Sequence, residues 1–138
     1  MNPALFQYHD LSQFPLVLTR HLGAPQGYAQ AWIAEMEQLM ASPEPFVLVT
    51  QDLGAPIAHE DRKQMVQWQT ENMHRIRQAS RGYVAVKPDI SGYERASKQA
   101  EKMTRAFDFP FVVVGSMVEA RQAAHRLMAG LDAHGAAA

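Results

Sequence analysis

Three short apolar runs, each bounded by breakers and each followed by a stretch of helix periodicity, constrain this chain more than any other feature. They are PFVLV at 45–49, YVAVK at 83–87 and FPFVVVG at 109–115. Runs this short that stay apolar without alternating read as strands buried on both faces, as in parallel sheets. Parallel neighbours need crossovers of a dozen or more residues, and helix-period segments fill those intervals here. The chain therefore predicts an α/β fold.

Ahead of the first run, LFQYH at 5–9 and PLVLTRH at 15–21 are separated by Asp10, Leu11, Ser12 and Gln13, and read as an antiparallel hairpin. Pro25 opens a helix striped by Tyr28, Trp32, Met36, Leu39 and Met40, which Pro43 and Pro45 stop. The longest helix is expected from His59 to about Ser80, with Met65, Val66, Met73 and Ile76 on one side and Gly82 as its punctuation. Ser91 with Glu94, and Ser116 with Glu119, have capping-box spacing. Behind them run the stripes Tyr93, Ala96, Ala100, Met103, Phe107 and Met117, Ala120, Ala124, Leu127, Leu131. The predicted order is β-β-α-β-α-β-α-β-α, on a mixed sheet whose later strands are parallel and joined by right-handed crossovers. A single domain over 1–131 and a flexible tail over 132–138 are expected.

Composition narrows the function. The 138 residues are enough for a core without staples, and the absence of cysteine excludes disulfides, thiolate metal sites and a cysteine nucleophile. A formal charge of −1 gives no strong net field toward nucleic acid or an anionic membrane. The opening MNPALFQYHD lacks the basic and apolar blocks of a leader, and no segment approaches a membrane span. The expectation is a cytoplasmic protein with no nucleic-acid or membrane partner.

The run from Pro45 through the long helix, with Trp68, Asn72 and Arg77, into RGYVAV at 81–86 resembles the anti-sigma-factor-antagonist fold, the STAS or SpoIIAA-like class of bacterial proteins. The resemblance covers about residues 14–130 and implies a regulatory module acting by protein contact. In phosphorylated members of that class the loop after the central strand carries a serine at a helix N-terminus, where unpaired amides favour an anion. The corresponding loop here, TQDLGAPIAHED, has no serine, keeps Asp52 and Gly54 for the turn, and brings Glu60 and Asp61 to the helix start. Thr50 is its only hydroxyl. A serine switch is not expected.

Other chemistry has little to stand on. The six histidines show no spacing that would put two metal ligands on one helical face, so no metal is expected. Ser116 follows Gly115 without the second glycine of a nucleophile elbow and is read as a cap. No glycine cluster suits a phosphate loop, and no cofactor is expected. The cations Arg62, Lys63, Arg75, Arg77 and Arg81 are read as a solvated helix face, and the Met-rich stripes as adaptable core.

Two functions follow. The first is a non-enzymatic interaction module with an unknown protein partner. The alternative is a small-molecule binder or enzyme using the rim at the strand carboxyl ends, formed by Asp52, Lys87, Asp89 and Ser116. A homodimer is expected as well. Its surface would be either the first strand as a weakly protected edge, through Phe6 and Tyr8, or the long helix, through Trp68.

Overall fold

The computed structural model describes residues 3–21, 23–51, 57–87 and 90–131. Its elements are β1 (His9–Gln13), β2 (Leu16–Thr19), α1 (Ala29–Ala41), β3 (Phe46–Gln51), α2 (His59–Glu71), α3 (Met73–Ala79), β4 (Ser80–Val86), α4 (Ile90–Phe107), β5 (Phe111–Val114) and α5 (Met117–Met128), preceded by a 3-10 turn at Pro3–Leu5. This is an α/β fold on one mixed sheet of five strands, in the spatial order β1-β2-β3-β4-β5. β1 is antiparallel to β2, and every later pair is parallel.

Alternation along the strands divides the interior in two. Leu16, Val47, Val49, Val84, Val86, Val112 and Val114 face α5, whose Ala120, Ala123, Ala124 and Leu127 close that layer. Val17, Phe46 and Leu48 face the other way, against Trp32, Met36 and Leu39 of α1 and Met65 of α2. Helix α4 lies along the outer edge of β5. Pro110 and Val114 give their carbonyls to Tyr83 and Lys87, while the amide and carbonyl of Phe111 point away from β4. The Thr104 hydroxyl meets both, accepting from the Phe111 amide at 2.9 Å and lying 3.1 Å from its carbonyl. Tyr93 donates to the Val113 carbonyl at 3.2 Å. Side chains of a helix thus cover an edge that would otherwise offer free backbone groups.

Several local expectations change. The first strand is His9–Gln13, not 5–9, so Asp10 to Gln13 belong to the strand rather than the turn. The cause is Glu35 of α1, which accepts from the amides of Gln7 and Tyr8 at 2.9 and 3.0 Å and so removes them from any ladder. The long helix is two helices that meet at Asn72, where φ −112° and ψ 16° leave the helical region. Its side-chain amide donates to the Trp68 carbonyl at 2.8 Å, the local competition that asparagine brings to helix interiors. Val66, expected in the buried stripe, is 56% exposed.

Gly82 does not punctuate a helix but sits inside β4. A Cβ there would lie 2.8 Å from Leu127 Cδ1, so glycine lets α5 close onto the sheet. Helix α4 begins at Ile90, ahead of Ser91, whose side chain is not among those described. Leu131 falls beyond α5 and is 53% exposed. The expected tail at 132–138 lies outside the described residues.

Candidate functional site

The carboxyl ends of β2 to β5 and the amino end of the antiparallel β1 share one end of the sheet, the rim where open α/β sheets gather ligands. Of the four residues expected there, Asp52 and Asp89 lie outside the described residues. Lys87 follows β4, and its Nζ is 3.8 Å from where a Cβ on Gly92 would stand, which puts it over the start of α4. Ser116 caps α5: its hydroxyl accepts from the Glu119 amide at 3.2 Å, and the Glu119 carboxylate accepts from the Gly115 amide at 3.1 Å. That serine is engaged as a cap, as its spacing predicts.

A denser polar cluster stands at the other end of the rim, over β1 and β2. The 13-residue helix α1 brings Trp32 and Glu35 into the interior on the same stripe as Met36 and Leu39. Glu35 accepts from His9 Nδ1 at 2.9 Å in addition to the two backbone amides. The carboxylate makes Nδ1 of His9 the protonated nitrogen, which leaves Nε2 as an acceptor, buried and without a hydrogen-bond partner among the described residues. Trp32 packs between rings: His9 at 5.1 Å, His21 at 6.3 Å and Trp68 edge-on at 6.2 Å. Its indole N–H donates to the Thr19 hydroxyl at 2.7 Å. His21 Nδ1 and the Tyr28 hydroxyl are 2.7 Å apart.

Burial sets the charges of this cluster. The His9 pKa falls to about 4 because the interior disfavours the imidazolium, against the opposing pull of Glu35. His21 is lowered by burial and then by the Arg62 cation. Tyr28 is pushed up to about 12 by burial and by the negative charge of Asp61. At neutral pH both histidines and the tyrosine are uncharged.

Asp61 completes the frame. It was expected as ordinary helix-start acidity on α2, but its carboxylate is buried and turned toward α1. There it accepts from the amides of Gly27 and Ala29 at 2.9 and 3.0 Å. Tyr28 provides α1 with no side-chain cap, so an aspartate from the next helix supplies one. Thr50, the only hydroxyl of the loop after β3, lies within that strand opposite Ala85. It also hydrogen-bonds Tyr83, whose hydroxyl is pushed up to about 12 by burial.

The surfaces expected for association are partly used in the core. Phe6 and Tyr8 precede β1 and are half-buried, with the Tyr8 ring 5.2 Å from that of Tyr28. Trp68 is half-buried against Trp32. Sequence reasoning missed His9, His21, Glu35 and the inward turn of Asp61. One signal was available: Glu35 stands three residues after Trp32 and next to Met36, inside the apolar stripe of α1.

Among the described residues no group of three or more His, Cys, Asp or Glu could hold a metal ion, and no helix is long and apolar enough to cross a membrane. No family model matches this chain, and no curated protein or solved structure is significantly similar to it.

Proposed function

We propose that this chain is a non-enzymatic interaction module of the anti-sigma-factor-antagonist type, without the serine switch of the phosphorylated members of that class. The observation that carries the reading is how the chemically capable groups described at the rim are used. Asp61 holds the amides that open α1, Glu35 holds the segment before β1, Ser116 caps α5, and Thr19 receives the Trp32 indole. Each is engaged in building the fold, and the rings among them are neutral. Such a rim suits contact better than turnover. A homodimer belongs to the same proposal, because symmetric pairs are the commonest oligomers. The open part of Trp68 is the surface retained for it, and sedimentation at several concentrations tests it against a monomer of 15.4 kDa.

The second reading, a small-molecule site at the rim, is favoured by one observation, the buried Nε2 of His9 that has no hydrogen-bond partner among the described residues. A deproteinised cell extract and its fractions, added to the pure protein in a melting experiment, separate the two. A ligand of the native state raises the melting temperature with concentration. The interaction reading predicts no such shift, together with a stoichiometric complex with a protein that remains after purification. A dose-dependent shift that is lost in His9→Gln would replace it with the second reading.

A further inference from the structure

Charge is distributed unevenly along this nearly neutral chain. Residues 75–108 carry eight of its thirteen Lys and Arg but four of its fourteen Asp and Glu, a local net charge of +4 against −5 for the remainder. In the fold β4 and β5 end the sheet on one side, with α4 against β5 and α3 against β4.

On α4 the excess is ordered. Tyr93, Ala100 and Thr104 turn toward β5, and the opposite face carries Arg95, Lys98, Lys102 and Arg105, all exposed. Spacings of three, four and three put these four cations in one row, with neighbours roughly 5–6 Å apart and a total rise of about 15 Å. The side chains of Glu94, Arg95, Lys98, Gln99 and Lys102 stand open to solvent on this face. Among the contacts of this row, Lys98 meets Glu94 at 3.6 Å, with both side chains largely in solvent, so that pair holds the lysine only weakly.

We propose that this row is an interaction surface for an acidic protein segment, a helix presenting carboxylates at the same three- and four-residue spacing. The proposal rests on the interaction-module reading and names its surface and partner chemistry. Two features favour a spaced acidic helix over a nucleic acid. Glu94 and Glu101 stand seven residues apart beside the cations, so a helix with discrete carboxylates can meet the cations and clear both, whereas the continuous charge of a phosphate backbone would run over them. The row also carries no exposed aromatic side chain on which a base could stack.

The test uses the full chain and a fluorescent helical peptide bearing glutamates along one face at that spacing, with a peptide of equal composition and scrambled spacing beside it. The expected result is binding that weakens with salt, favours the patterned peptide, and falls about tenfold or more in Lys98→Glu/Lys102→Glu. Both positions are exposed, so circular dichroism and melting temperature should match those of the parent. Equal binding by parent and double variant would overturn the surface. Tighter binding of a single-stranded RNA of equal charge would overturn the partner class. A natural protein partner that both forms retain equally would also overturn the surface while leaving the module reading intact. That reading fails separately, by the small-molecule shift described above.

Discussion

Nδ1 of His9 and Oε1 of Glu35 lie 2.9 Å apart in the interior, joining the start of the edge strand to the middle of the first helix. The same carboxylate also takes the amides of Gln7 and Tyr8. One side chain therefore fixes where the sheet begins. Replacing it should loosen that junction: Glu35→Gln puts a donor amide where donors already converge. We expect a loss of about 1–3 kcal/mol in urea unfolding, the cost of a buried group left unsatisfied. Unchanged stability would mean that the segment is held by other contacts.

His9 gives the stability a pH dependence whose sign is fixed. Its folded pKa of about 4 lies below the ordinary 6.5, so between those values the unfolded chain binds the extra proton. Stability is then complete above pH 6.5 and declines as pH falls toward 4, by about 3 kcal/mol at about 1.4 kcal/mol per pH unit. His21, lowered by burial beside Arg62, adds to the decline in the same direction. Urea midpoints across that range should flatten in His9→Gln. A slope equal to the parent's would assign the acid sensitivity elsewhere.

Gly82 and Leu127 predict a coupled pair. Gly82→Ala places a methyl 2.8 Å from the Leu127 side chain in a filled core, with an expected cost of about 1–3 kcal/mol. In Gly82→Ala/Leu127→Val the penalties should combine to less than their sum. A double-mutant cycle with no coupling would show that the leucine does not set the limit.

Thr104→Val keeps the shape of the side chain but removes the hydroxyl that accepts from the Phe111 amide and whose single proton lies within reach of the Ala100 and Phe111 carbonyls. A loss of about 1–3 kcal/mol is expected, with increased self-association through the uncovered β5 edge. Light scattering at matched concentration checks the second effect, and a variant as monodisperse as the parent would show that the edge is protected by other means.

The strands that sequence pattern located best are those buried on both sides. FVLV, YVAV and FVVV have no alternative to a sheet interior, and the helix stripes between them are strong enough to fix the α/β class. The pattern failed where a distant residue decided local structure. The first strand begins at His9 because Glu35, 26 positions away, removes the amides ahead of it. Gly82 read as a helix stop because its true constraint, Leu127, lies on another helix. The polar cluster escaped for the same reason: His9, His21, Glu35 and Asp61 come from separate elements, and spacing along the chain carries no sign that they meet.

The proposed action by contact and not by turnover is tested most plainly by direct titration. A protein captured from native extract is purified and titrated into the full chain, with the low-molecular-mass fraction of the same extract titrated in parallel. The expected result is a saturable protein complex, weakened by salt and by Lys98→Glu/Lys102→Glu, and no heat or chemical change with the small molecules. A small molecule that binds stoichiometrically and is converted to product, with no protein complex formed, would contradict it.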